Sequence, residues 1–203
     1  LFLEDRIPEV PIFVDSPLAV SATDIYRSHL DLLDRQAHRI FLNNKLDPFS
    51  FRRLTYIQDK DASKKLNDLA YPHIIISASG MCEGGRVLHH LRNSVDNQNT
   101  MLLFIGYAAQ HTLARKIMDG ARHVKILGED HEIKCKIHVM DNFSAHADRH
   151  DILSYIRTTP PEKLKNIFLV HGEQDHSNSL IDAIRSQGYQ NVHYPSFDSI
   201  CEI

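Results

Sequence analysis

Apolar residues fall along this chain in two kinds of run. Short, nearly unbroken ones bounded by turn formers have the length and composition of buried strands: "VPIFVDSP", "PHIIISASG", "TMLLFIGY", "NIFLVHGE" and, at the far end, "VHYPSF", with "LTYI" as a shorter candidate. Between them apolar positions recur every three or four residues, the spacing of a helix face. Leu18, Ala22, Ile25, Tyr26, Leu30 and Leu33 make one such face, opened by Ser16 as N-cap and Pro17 at the first helical position. Further helices are predicted over "DASKKLNDLA", from about Gly84 to Asn93, over "HTLARKIMDGA", over "HADRHDILSYIRTT" before Pro160-Pro161, and over "SNSLIDAIRSQG" with its glycine stop. Residues 35–53 are less periodic, and Asp47-Pro48 marks a break. Near Val124 the character changes: "HVKILG" and "IKCKIHVMD" read as the two arms of a β-hairpin. Strand and helix alternate, so the predicted fold class is α/β with a mostly parallel, helix-covered sheet, and a domain boundary falls near 130–137.

Composition narrows this only a little. The chain has 203 residues, 42% hydrophobic and 24% charged, the make-up of a globular protein. A net charge of −3 argues against a uniformly basic nucleic-acid binder but leaves room for a local basic groove. Lys64, Lys65, Arg115, Lys116 and Arg122 are scattered cations, mostly solvated helix faces, some of them candidates for such a groove. Three cysteines, odd in number and far apart, imply no disulfide framework and fit reducing, cytoplasmic conditions. No apolar run approaches the about 18 residues of a membrane span. The chain opens at Leu1 without a methionine, already close to a strand, which suggests part of a longer protein.

Fourteen histidines direct attention to clusters. In "FSAHADRH", His146 and His150 are four apart, which would share one helix face and permit joint metal binding. The metalloprotease pattern H-E-x-x-H needs a glutamate where this chain has Ala147, which disfavours that reading. Ser144 as a cap with Asp148 in the first turn explains those two residues structurally but not His146, which stands where backbone N–H groups can help hold an anion. In "LVHGE", His171 leaves a buried strand at its carboxyl end, where open α/β sheets collect ligands; a hydrogen-bonded turn histidine is the plain alternative. In "SASGMCEGGR", small residues run into a helix start, as in a phosphate cradle, and Arg86 adds a potential bidentate phosphate contact. The P-loop pattern is absent, and a tight strand-to-helix turn explains the glycines as well. His89 and His90 are adjacent on a helix, point apart, and read as surface or packing residues.

Taken in order, "VDSPLAVSAT", "SASGMCEGGRVLHHL", "IGYAAQHTLARKIMDGA", "FSAHAD" and "LVHGE" resemble the β-CASP family of metallo-β-lactamase-fold nucleases, over nearly the whole chain. That resemblance implies a β-CASP domain over 1–135, lacking its N-terminal part, and a returning segment over 136–203 that completes a metallo-β-lactamase αββα fold. It implies His146 as a contact to the scissile phosphate and candidate catalytic general acid, and His171 as a zinc ligand diagnostic of RNA-acting members. Ser77, Ser79, Gly80 and Arg86 would face the RNA backbone. The H-x-H-x-D-H signature that supplies most zinc ligands in the family is not in this sequence, nor is the acidic residue of the first β-CASP motif, and His111 stands where relatives often have glycine. The implied function is a zinc-dependent ribonuclease acting on single-stranded RNA, with two zincs in a longer parent and none or weakly held zinc here. The implied partners are a preceding metallo-β-lactamase domain of the same chain and, as family members often dimerise, a second copy. The alternative is a non-catalytic RNA-binding or scaffold subunit.

Overall fold

The computed structural model describes residues 6–42, 45–140, 147–170, 172 and 174–200. The chain divides into two compact units, Leu1–Phe143 and Ser144–Ile203.

The first unit is built on parallel strands. β1 (Ile12–Asp15) lies between β2 (Leu54–Tyr56) and β3 (Ile74–Ser77), parallel to both, with Val14 opposite Tyr56 on one side and Ile76 on the other. Parallel neighbours need crossover connections, and helices supply them. α1 (Pro17–Ser28) starts at Ser16, whose hydroxyl accepts from the Ala19 amide at 3.3 Å, as its Ser-Pro start predicts. α2 (Arg35–Ala37), capped by Asp34, runs on into a π turn at His38–Leu42. α3 (Lys60–Lys65) is capped by Asp59 and continues as a 3-10 turn over Leu66–Asp68. α4 (Val87–Ser94) follows β3 after the glycine-rich loop, so its helical turns start three residues later than the spacing predicts.

β4 (Met101–Ile105) pairs in parallel with β7 (Lys136–Met140), and between them run α5 (Leu113–Met118) and a hairpin of β5 (His123–Ile126) and β6 (Glu129–Glu132). The hairpin is therefore not the one predicted. Its second arm is the polar stretch "EDHE", and the alternating residues 136–140 belong instead to the strand beside β4. The physical reason is the two-residue turn Leu127-Gly128, with both φ angles positive (51° and 87°), which suits the twist of a tight hairpin. Leucine there is no turn signal, so the sequence hides it. Phe104, Leu91, Val95, Leu113, Ala114, Ile117, Val124 and Ile126 close the core of this unit. On the opposite face of β4, Met101, Leu103 and Ile105 remain about half exposed.

In the second unit α6 (Arg149–Ile156) and α7 (Gln174–Arg185) accompany the short parallel pair β8 (Ile167–Phe168) and β9 (Val192–His193). Ile181, Ile184, Tyr189 and Val192 form its core, and the Tyr189 hydroxyl is shared between the carbonyls of Ile156 (3.1 Å) and Thr159 (2.9 Å). α6 is capped by Asp148, not by Ser144: the Asp148 carboxylate accepts from the Asp151 amide at 2.8 Å, and Asp151 accepts in return from the Asp148 amide at 3.2 Å. This reciprocal box satisfies two free amides at once, which a lone serine cap upstream does not.

Candidate functional site at the carboxyl ends of the parallel strands

β1, β2 and β3 end side by side, and the loop 78–86 closes over their carboxyl ends. The Ser77 hydroxyl donates to the Asp15 carbonyl at 3.1 Å, tying β3 to β1. Arg86 reaches back across the same edge. Its Nη1 donates to Asp15 Oδ1 at 2.6 Å and to the Ile57 carbonyl at 2.9 Å, and its Nη2 donates to the Gln58 carbonyl. One guanidinium thus binds the ends of two strands, and its side chain is only 15% exposed.

Asp15 is fully buried and is the hub of the arrangement. Besides Arg86, it receives the Ser63 hydroxyl from α3 at 2.6 Å and Nε2 of His90 from α4 at 2.6 Å. Burial alone would push its carboxyl up, but the bonds from Ser63, His90 and Arg86 outweigh that and hold it below the ordinary value. A buried carboxylate persists only where donors and counter-charge surround it, and all are present here.

The loop itself is pinned from two directions. Gly85 has φ +82°, and a Cβ there would stand 2.8 Å from the Ala78 carbonyl oxygen, so the close pass of the loop over its own start requires glycine. At the other end, the Glu83 carboxylate accepts from the Leu113 amide at 2.6 Å and the Met81 carbonyl accepts from the Ala114 amide at 3.1 Å, both at the start of α5. His111, in the turn before α5, holds φ +68°, a conformation glycine adopts more easily. Between these anchors Ala78, Ser79 and Gly80 are exposed, and nothing lies within 4 Å of where a Gly80 side chain would begin. Cys82 in the same loop is buried, and burial, with a smaller push from Glu83, raises its thiol to about 11, so it is not a nucleophile at neutral pH.

Of the residues singled out from sequence, Ser77 ends β3, and Ser79, Gly80 and Arg86 lie in the loop that follows it. Ser79 and Gly80 face outward, whereas Arg86 turns inward. His146 and His171 lie outside the described residues, as does Ser144. Next to His171, the Gly172 carbonyl accepts from the Tyr194 hydroxyl at 2.6 Å. Asp15, Ser63, Asn67 and His90 were not among the predicted site residues. The one available signal was the adjacent pair His89-His90 on a helix leaving a glycine loop, which reads equally well as packing.

The chain resembles known proteins along most of its length. The Beta-Casp domain model matches residues 2–117. This chain belongs to the β-CASP family. A second model, the Zn-dependent metallo-hydrolase RNA specificity domain, matches residues 130–195. A ribonuclease of Thermus thermophilus is 32% identical over 170 residues, which is 84% of this chain and 38% of that protein. The transcription termination factor FttA of Cenarchaeum symbiosum is 29% identical over 195 residues, 94% of this chain and 30% of that protein, and FttA of Thermococcus kodakarensis is 28% identical over 184 residues, 88% and 28%. The chain therefore spans about a third of the length of these relatives.

Zinc is the metal implied by the second domain's description. Among the described residues, one group brings three potential ligand atoms within 4.8 Å of one another: Asp148, His150 and Asp151, all exposed. The two carboxylates already hold the capping box of α6. A catalytic zinc takes about three protein ligands and an open position in a shaped cavity, and this exposed helix start does not fit it. Among the described residues, no helix is long and apolar enough to cross a membrane.

Proposed function

We propose that this chain is the RNA-facing and closing part of a zinc-dependent ribonuclease that acts in the cytoplasm on single-stranded RNA. The observation that carries the reading is the match of residues 130–195 to a Zn-dependent metallo-hydrolase RNA specificity domain directly behind a β-CASP domain. On this reading residues 1–135 are β-CASP domain and 136–203 return to a metallo-β-lactamase domain of a longer chain. His146 contacts the scissile phosphate and protonates the leaving oxygen, for which it must come within hydrogen-bond reach of that atom. His171 is one zinc ligand. Ser77, Ser79 and Gly80 lie along the RNA backbone, with Ser79 and Gly80 accessible to it and Arg86 ordering the loop beneath them. One histidine cannot hold two zincs, so the 203 residues alone are inactive and bind zinc weakly or not at all.

The test is zinc content by elemental analysis, together with cleavage of matched RNA and DNA oligonucleotides. About two zincs and RNA cleavage are expected in the longer protein, with neither in this chain. Stoichiometric zinc in the isolated chain, or equal cleavage of DNA by the longer protein, overturns the assignment. One other reading is a non-catalytic RNA-binding or scaffold subunit. A longer protein that binds RNA, holds no metal and cuts nothing would establish it.

A further inference from the structure

The hub under the glycine-rich loop contains a histidine held at both ring nitrogens. Nε2 of His90 lies 2.6 Å from Asp15 Oδ2, and Nδ1 lies 2.9 Å from Asn67 Oδ1. The Asn67 amide is oriented by its Nδ2, which donates to the Lys64 carbonyl at 3.1 Å. Its oxygen is therefore the atom that faces the ring. With Asn67 in this orientation, both ring nitrogens of His90 point at oxygens that can only accept. A neutral imidazole would set a lone pair against an oxygen on one side, inside a site where His90 is only 8% exposed and Asp15 not at all.

We propose that His90, as a doubly protonated imidazolium, is a positioning residue that shares the Asp15 carboxylate with Arg86 and so fixes the conformation of the loop carrying Ser79 and Gly80. The proposed His90 cation and Arg86 set two positive charges against the one negative charge of Asp15. Asp15 is the single carboxylate between the His90 and Arg86 cations, and the other groups facing it are the neutral Ser63 hydroxyl and Asn67 amide. Asp59, at the start of α3, is the next carboxylate and feels the Arg86 charge from the solvent side. Without the His90 ring, Asp15 keeps only Ser63 and Arg86 as side-chain donors, so its carboxylate is free to turn and the Arg86 Nη1 contact that it aims shifts with it. Arg86 directly precedes α4 and ends the loop, so its displacement passes to Ser79 and Gly80 through the backbone. His90 touches no RNA in this scheme. Its effect on RNA rests on the reading of the loop given above.

The first experiment needs no variant. Long-range proton–nitrogen correlation spectra of the intact chain at neutral pH should show both His90 ring nitrogens in the protonated range, whereas one bare, lone-pair nitrogen overturns the proposal. The second compares the chain with H90Q, following the backbone amides of the loop and the binding of a labelled single-stranded RNA oligonucleotide over a salt series. The expected result is displaced Ser79–Gly85 amide signals, restored toward normal when the RNA is added in excess. RNA affinity should fall about tenfold, the scale of one lost charge-assisted hydrogen bond, with an unchanged slope of log affinity against log salt. A slope reduced by about one would make His90 a phosphate contact rather than a positioning residue and overturn the proposal. Unmoved loop amides in a folded H90Q overturn it too. Moved amides with unchanged RNA affinity would keep the clamp and retire the RNA-facing reading of the loop, so the two failures are separable.

Discussion

Replacing Asp15 by asparagine changes almost no volume and removes one charge from the most buried polar position among the described residues. The carboxylate has no exposed surface, and Ser63, His90 and Arg86 each reach it at 2.6 Å. Removing one partner of a buried ion pair costs about 3–5 kcal/mol, because the partner left behind stays buried without its counter-charge. Here Arg86 is left behind, together with the donors from His90 and Ser63. Arg86 keeps the carbonyls of Ile57 and Gln58, and the asparagine oxygen still accepts one bond, so the lower end, about 3 kcal/mol, is the better figure. With a urea slope of about 2 kcal/mol per molar, the unfolding midpoint of the first unit should fall by about 1.5 M. Because the chain has two compact units, the transition is to be followed by amide exchange within β1 and α4 rather than by a global signal. A double-mutant cycle with R86M should give a coupling of more than about 1 kcal/mol, as for residues in one network. A midpoint shift below about 0.5 M, equivalent to about 1 kcal/mol, would mean that the hub is solvated in solution, and the reasoning would be wrong.

Three further outcomes follow from the same geometry. Because the Asp15 carboxyl lies below its ordinary value in the fold, its contribution to stability is complete above the unfolded value near about 4 and is lost as the pH falls through the folded value; D15N should lack that part of the acid-side slope, and matching pH profiles for the two proteins would contradict it. Gly85→Ala should lower stability by about 2 kcal/mol, given its φ of +82° and the 2.8 Å approach to the Ala78 oxygen, while Gly80→Ala, with open space around it, should stay within about 0.5 kcal/mol; paired thermal melts decide, and equal losses would sink the distinction. At His111, held at φ +68°, valine should cost about 1–2 kcal/mol and glycine should be neutral or slightly stabilising, an order that denaturant midpoints would reverse if the turn relaxes in solution.

What the sequence discloses here is local. Ser16-Pro17 announces the start of α1, the glycine stop at Gly188 closes the helix before it, and the apolar runs locate the strands of the parallel sheet. The misreadings come where pairing is long-range or where a turn has the wrong residue. The partner of β4 is β7, separated from it by a helix and a hairpin, and a leucine occupies a turn position usually signalled by asparagine or aspartate. At the candidate site, Ser77, Ser79 and Gly80 were legible because small residues at a strand end are conspicuous. His90 was not, because its acceptors come from β1 and from the turn after α3, and nothing in a single sequence pairs position 90 with 15 or 67. Arg86 was legible as a residue of interest, but its inward direction follows from the strand ends it spans.

The clamp also has a place in time. Asp15 and His90 are 75 residues apart, and Asp15 and Arg86 are 71 apart. Contacts of such separation require closing a long loop before they return any stabilisation, so they form after the local helices. Interactions made that late are weak or absent at the folding barrier and intact on the native side of it. Loss of the hub should therefore leave the refolding rate of the first unit nearly unchanged and appear almost entirely as faster unfolding. The network that aims the loop also sets how long the loop, once formed, survives.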